Sequence, residues 1–302
     1  MTHPGPDRIL TAALVMIAAM AIIGVIDNYI VRVADQIGLW QFHFVRALMA
    51  LPLVAGLSLL GLGTLRPVRL WAVAVRSLLV GVSMLFYFSA LALMPIAQAL
   101  GGLFTSPIFI LLITALVMKQ RIGPWRICAV LLGFVGILLV LQPNPSDLDL
   151  KVMIPMAGGF FYALSAIATR TICARESTIT MLAGMWVTLG TFGALGLVVL
   201  SIWPLASVAG PDGFVTRGWV WPIIDVMPLV VLQAVGSVIG VFLIIKAYQL
   251  GEPSYVSVFE YSVMIFGPLF AYLAFGQTVG GWQIFGIGCI ACAGIIIALR
   301  AK

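Results

Sequence analysis

The stretch KQRIGPWR (Lys119–Arg126) returns as GQTVGGWQ (Gly276–Gln283), with Gln120 over Gln277, Gly123 over Gly280 and Trp125 over Trp282. Each copy lies in a polar gap between long apolar runs, so the two stretches mark one point in two copies of one unit. Working outward from them, apolar runs bounded by polar residues, Pro or Gly read as helices near residues 9–33, 40–60, 70–92, 96–118 and 125–142. A second set follows near 152–172, 179–203, 226–249, 254–275 and 282–299, and the widest gap is 204–225. Crossing the hydrocarbon takes about 20 apolar residues at 1.5 Å each, so ten spans use most of the 302 residues.

Composition leaves few alternatives. The chain is 63% hydrophobic and 9% charged, with a mean hydropathy of +1.18. A soluble domain carries about a quarter charged residues, so a water-soluble fold is excluded. Lipid offers no hydrogen-bond partner to the backbone, which restricts spanning structure to helices or closed barrels, and the unalternating runs select helices. The first apolar run lacks a small-residue cleavage site and is expected to be retained as the first span. Cys128, Cys173, Cys289 and Cys292 sit in or beside apolar runs and do not form the spaced framework of a disulfide-rich domain.

The net charge of +6 comes from basic residues scattered between spans, which argues against a nucleic-acid partner and for a topological role. With the N-terminus inside, twelve of the sixteen Lys and Arg are cytoplasmic: Arg8, Arg66, Arg69, Arg76, Lys119, Arg121, Arg126, Arg170, Arg175, Lys246, Arg300 and Lys302. Arg32, Lys151 and Arg217 lie on the other side, and Arg46 lies within a span. The positive-inside rule thus predicts both termini in the cytoplasm of a bacterial inner membrane. Five spans per copy is an odd number, so the second copy enters from the opposite face. The expected fold is an all-α membrane protein of ten transmembrane helices in two inverted five-helix repeats, residues 1–144 and 145–302. Such repeats place a binding site near the midplane and permit alternating access.

Three further stretches carry a resemblance: FVRALMALPL (Phe44–Leu53), ALALMPIAQA leading into LFTSPIF (Ala90–Ala99, Leu103–Phe109), and KAYQLGEPSYVSVFEYS (Lys246–Ser262). Together they resemble the drug/metabolite transporter superfamily, in particular the EamA-type ten-helix exporters that include the YddG aromatic amino-acid exporters. The resemblance covers nearly the whole chain and implies secondary transport of small metabolites such as amino acids, commonly outward. The family often has Glu where this chain has Gln120 and Gln277. A facilitative channel, or an uptake carrier for a vitamin or nucleoside, is the alternative.

Candidate site residues follow from the cost of polarity in lipid. An ionisable side chain at mid-bilayer costs roughly 2.5–3.5 kcal/mol on insertion scales, so each needs a partner or a wet cavity. Asp27 and Arg46 fall about 10 Å below one face at 1.5 Å per residue and could pair, with His43 one turn from Arg46. Glu260 and Lys246 form a second possible pair near the opposite face, although a lysine there can also snorkel to the headgroups. Polar and small residues recur every three or four positions: Ser83, Tyr87 and Ala90; Gln98, Gly101, Gly102 and Thr105; Gly158, Tyr162, Ser165 and Thr169; Ser254, Ser257, Tyr261 and Met264. Such stripes line a cavity or allow close helix packing. Substrate-binding candidates are Tyr87, Gln98, Thr105, Tyr162, Ser165, Trp186, Ser257 and Tyr261, the aromatic ones offering a stacking face with a polar tip. Other tryptophans, including Trp71, Trp125 and Trp282, lie near span ends as interfacial anchors.

A membrane-embedded enzyme would need a nucleophile with its base, a metal-ligand set or clustered acids. His3 and His43 are the two histidines, and neither HExxH nor GxSxG occurs. No catalytic residue, cofactor or metal is expected, and the CxxC of Cys289 and Cys292 lies inside a span without a second ligand pair. The expected partners are a small-molecule substrate and the lipid bilayer, with the protein acting as a monomer.

Overall fold

The computed structural model describes residues 6–90, 93–94, 96–143, 150–206 and 208–300. Ten helical spans cross the bundle: span 1 (Ile9–Gln36), span 2 (Leu39–Leu59), span 3 (Leu70–Ala90), span 4 (Gln98–Leu116) and span 5 (Pro124–Leu141). They continue as span 6 (Leu150–Arg170), span 7 (Thr178–Ile202), span 8 (Met227–Leu250), span 9 (Pro253–Phe275) and span 10 (Gly281–Arg300). These agree with the sequence-based ranges to within three residues at every end. The expected repeat boundary at 144/145, Met1 and Lys302 lie outside the described residues. Exposed Leu48, Leu131, Val198, Leu269 and Ile295 give the bundle an apolar outer surface suited to lipid.

The packing repeats under the exchange of spans 1–5 with spans 6–10. Span 1 packs on span 8 as span 6 packs on span 3, and span 1 packs on span 9 as span 6 packs on span 4. Spans 2 and 7 pair with each other, as do spans 5 and 10, so each of these pairs is its own image. The register of Trp125 on Trp282, an offset of 282 − 125 = 157, holds at the level of single bonds. Gln120 N–H donates to Thr114 O at 3.1 Å, and its equivalent Gln277 N–H donates to Ala271 O at 3.3 Å. The Thr105 hydroxyl donates to Gly102 O at 2.6 Å, and the Ser262 hydroxyl to Phe259 O at 2.6 Å. Between spans 5 and 10, Gly133 faces Ala293 and Gly136 faces Ile290, each contact being the other's image in that register. The two halves are inverted repeats related by a two-fold axis.

Span 6 opens with a 3-10 turn, Leu150–Val152, and three other spans are broken along their length. Span 1 divides into Pro6–Asp27 and Ile30–Gln36, and span 4 into Ile96–Leu103 and Ser106–Leu116. Span 9 passes from Pro253–Val256 through a 3-10 stretch, Ser257–Ser262, into Val263–Phe275. Pro107 in the first turn after the span 4 break has no amide hydrogen to continue the ladder. Side chains add hydrogen bonds to carbonyls at the breaks: Thr105 and Ser262 as above, and Gln233 of span 8, whose Nε2 donates to Ile26 O at 2.6 Å beside the amide of Tyr29. Asn28 Nδ2 donates to Gly24 O at 2.7 Å and to Gly267 O of span 9 at 3.2 Å.

At one face, Glu176 accepts the amide hydrogens of Val68 (2.9 Å) and Arg69 (2.6 Å), and Arg126 pairs with Glu252 at 2.8 Å. At the other, Arg217 donates to the carbonyls of Ala34, Ile37, Val208 and Gly210, anchoring the 204–226 connection over the junction of spans 1 and 2.

Spans 5 and 10 approach at Gly136 and Gly286, where a Cβ on either would meet the other's carbonyl oxygen at 2.7 or 2.6 Å. Gly136→Ala and Gly286→Ala should each destabilise the protein by about 1–3 kcal/mol through overpacking. Gly288→Ala, with open space around the added methyl, should be neutral. Thermal unfolding in one detergent compares the three, and equal melting temperatures would refute the close approach.

Candidate functional site

A cavity of about 140 Å³ lies within the bundle, lined by residues of spans 1–4 and 6–9, while spans 5 and 10 pack to the side. Its walls are mainly apolar, with Met20, Val80, Phe88, Leu103 and Phe104 among them, and its polar groups fall into two sets. Ligand sites commonly combine apolar walls with a few placed polar groups in this way.

The first set surrounds Glu260, which the 3-10 stretch of span 9 holds seven residues from the start of that span and 2% exposed. Its Oε1 accepts the hydroxyl of Tyr162 of span 6 at 2.8 Å and that of Tyr248 of span 8 at 2.6 Å. Arg76 of span 3 lines the cavity on the same side. It donates through Nε to Thr169 Oγ1 at 3.2 Å and through Nη1 to Met181 O at 3.3 Å. Each polar group here is held by a different span, so the set depends on the whole bundle.

The second set lies nearer the opposite face. Arg46, 4% exposed, places its guanidinium carbon 4.3 Å from the ring centre of Phe42, 5.1 Å from Trp186 and 5.5 Å from Phe88. A guanidinium is weakly hydrated and stacks on aromatic faces, which is why Arg rather than Lys suits this packing. Asp27, at the break of span 1, lines the same cavity but forms no direct ion pair with Arg46. A second, more open cavity of about 330 Å³ shares Asp27, Tyr87 and Leu100 with the first and reaches Gln277 and Gln283 at the surface.

Of the residues singled out from sequence, Tyr87, Tyr162, Ser165, Trp186, Asp27, Arg46 and Glu260 converge on the central cavity. Gln98, Thr105, Ser257 and Tyr261 are buried but stand behind its wall. Thr105 serves the span 4 break, and Tyr261 packs edge-on to Phe104 at 6.5 Å. Lys246 is exposed at the outside of span 8 and does not pair with Glu260, whose partners are tyrosines instead. The two tyrosine hydroxyls bond one oxygen of the carboxyl group, with no direct ion pair. Arg76, Tyr248 and Gln233 also line the cavity and were not anticipated. Arg76 counts among the cytoplasmic charges by sequence although the expected span 70–92 already places it six residues inside, and it is buried there; Tyr248 sits within the KAYQLGEP stretch already noted.

A ten-span bundle of two inverted halves around a central cavity has the architecture of a membrane transporter. Residues 10–142 and 150–299 each match the EamA-like transporter family, and the chain belongs to it. It is 24% identical over 301 residues to a riboflavin transporter of Rhizobium johnstonii, covering 97% of this chain and 92% of that one. To a riboflavin transporter of Vibrio cholerae it is 26% identical over 196 residues, 65% of this chain and 60% of that one. To an S-adenosylmethionine uptake transporter of Rickettsia bellii it is 23% identical, covering 88% and 84%. A crystal structure 20% identical in sequence superposes with a TM-score of 0.77 over 96% of this chain and 98% of that one, which shows the fold. The protein is a multi-pass membrane transporter of small metabolites.

The tyrosine pair around Glu260 has a measurable energy. Tyr162→Phe and Tyr248→Phe should each lower stability by about 1–2 kcal/mol, the worth of a hydrogen bond to a buried carboxyl group. In a Glu260→Gln background the losses should change, because contacting residues couple. Strictly additive melting shifts across the cycle would show that the hydroxyls do not act through Glu260.

Proposed function

We propose that this chain is an uptake carrier of a bacterial inner membrane, with both termini cytoplasmic, for riboflavin or a similarly flat heteroaromatic metabolite. The observation that carries this reading is the central cavity, whose aromatic walls (Tyr87, Phe88, Phe104, Trp186) lie between two sets of polar groups at different depths. Flat rings stack on such walls, and polar substituents find Arg46 and Asp27 on one side or Glu260 and its tyrosines on the other. The riboflavin transporter matched along nearly the whole chain points the same way. Neither export nor amino acids appear among the named relatives, which favour the vitamin-uptake alternative over the exporter expected from sequence.

Under this reading, transport is alternating access. Spans 1, 8 and 9 form one body and spans 6, 3 and 4 its two-fold image, so a packing closed at one face has a symmetry-related packing closed at the other. The proposed units, residues 1–144 and 145–302, each contribute to both bodies. The second cavity, sharing Asp27, Tyr87 and Leu100 with the central one, supplies the route to one face. S-adenosylmethionine is the second reading, favoured by the buried carboxyl group of Glu260 and by the Rickettsia relatives, since a sulfonium is a cation that aromatic and acidic groups attract.

Reconstituted in liposomes, the protein should take up labelled riboflavin well above empty vesicles, with unlabelled riboflavin competing. Trp186→Ala should lower kcat/KM by about tenfold or more, since a buried aromatic contact and its ring face are lost together. Uptake of S-adenosylmethionine alone would select the second reading. No flux of either compound would refute both.

A further inference from the structure

Among the described residues, buried polar atoms without a partner occur at Ser77, Ser83, Gln98, Ser257 and Tyr261, and three nitrogen donors lie together at Arg46, Trp186 and His43, the first two lining the cavity. Arg46 makes a single hydrogen-bond contact among the described residues, 3.5 Å from Nη2 to His43 Nδ1, and its Nε has no partner. Trp186, fully buried and lining the cavity, has an indole N–H with no partner, and His43 Nε2, also buried, has none. Burying a polar N–H without an acceptor costs about 1–3 kcal/mol, and more for a charged group. Native proteins therefore leave few such groups, and a cluster of them beside a cavity points to an acceptor that arrives with the ligand. The aromatic rings of Phe42, Phe88 and Trp186 fix the guanidinium while supplying it no acceptor oxygen, and Asp27 on the same cavity acts on it by charge without a direct hydrogen bond.

In the other set the arginine is already bonded, Arg76 donating to Thr169 Oγ1 and Met181 O, and the group with free capacity is a carboxyl group. Glu260 Oε1 already accepts two tyrosine hydroxyls, and among the described residues Oε2 has no protein donor, so this carboxyl group can accept further hydrogen bonds from a ligand.

We propose that the cavity reads its substrate by polarity along its length: Arg46 and the Trp186 indole N–H bind the planar, acceptor-bearing edge of the ring system, and Glu260 binds hydroxyl or amino donors on its tail. This deepens the uptake reading and rests on it. A carboxylate, or a carbonyl oxygen beside an unprotonated ring nitrogen, presents two adjacent coplanar acceptors that match the guanidinium fork, whereas the N–H between the two oxygens of an imide would face another donor. In a flavin the edge of the imide ring formed by a carbonyl oxygen and its neighbouring ring nitrogen lies toward Arg46 and the polyol toward Glu260.

Flavin fluorescence on binding to the purified wild-type protein in nanodiscs provides the test, with riboflavin compared against lumiflavin, which keeps the same ring edge and carries a methyl group in place of the polyol. Trp186→Phe, which keeps a ring and removes the N–H, and Arg46→Met should weaken both ligands alike. The expected losses are about 3–10-fold for Trp186→Phe and 10-fold or more for Arg46→Met, as for neutral and charge-assisted bonds. Glu260→Gln should weaken riboflavin severalfold and leave lumiflavin within about twofold, because that ligand makes no contact there. Melting temperatures confirm that each variant is folded. If folded Glu260→Gln weakens riboflavin and lumiflavin by the same factor, or if folded Trp186→Phe and Arg46→Met leave the binding of both unchanged, the polarity is overturned and flavin uptake stands. If the wild-type protein binds neither flavin, the flavin reading itself fails, and the assignment of the ring edge fails with it.

Discussion

A backbone carbonyl inside hydrocarbon must receive a hydrogen bond from the protein, and the interior of this carrier is organised around the few places where a helix cannot supply one. The breaks in spans 1, 4 and 9 would be untenable facing lipid. Each is turned inward, where a side chain reinforces the tighter backbone bonding: Gln233 on Ile26 O, Thr105 on Gly102 O, Ser262 on Phe259 O. A gap in regular helix thereby becomes a fixed local geometry. The 3-10 stretch of span 9 is the part of that span from which Glu260 reaches the cavity. Polar chemistry therefore enters the membrane where the backbone has already been made to tolerate it.

The two-fold relation multiplies these features. Thr105 and Ser262 make the same bond three residues back, and Phe104 meets its own equivalent, Tyr261, at the centre. Spans 5 and 10 pair with each other through small residues and take no part in the cavity lining, which leaves the other eight to enclose it. Close glycine contacts between helices gain dispersion and exclude lipid where no hydrophobic driving force separates protein from solvent. A cavity formed in this way belongs to both halves and can be exposed to either face by exchanging equivalent packings.

The halves are alike in backbone and unlike in chemistry. One set of polar groups centres on a carboxyl group held by tyrosines, the other on a guanidinium held by aromatic faces. Symmetry serves the movement and asymmetry serves recognition, since a substrate with two distinct ends needs two distinct subsites.

Much of the architecture was legible in the chain. Apolar length defines a span because the bilayer has a fixed thickness, and the Gln120/Gln277 and Trp125/Trp282 match was sufficient to place equivalent backbone bonds. Charge in lipid also marked Asp27, Arg46 and Glu260 as residues needing an environment of their own, and all three line the cavity. Their partners could not be read in the same way. Depth along a span suggested Lys246 for Glu260, whereas the fold supplies Tyr162 and Tyr248; Asp27 and Arg46 do share a cavity and act on each other by charge, but the groups packed on the guanidinium are aromatic faces. Depth is a property of one helix, counted along its own sequence; which side chains meet at that depth depends on how each helix is rotated against its neighbours. The sequence by itself determined the spans, their inversion and the residues too polar to face lipid, and the tertiary structure alone decided which of them share a cavity.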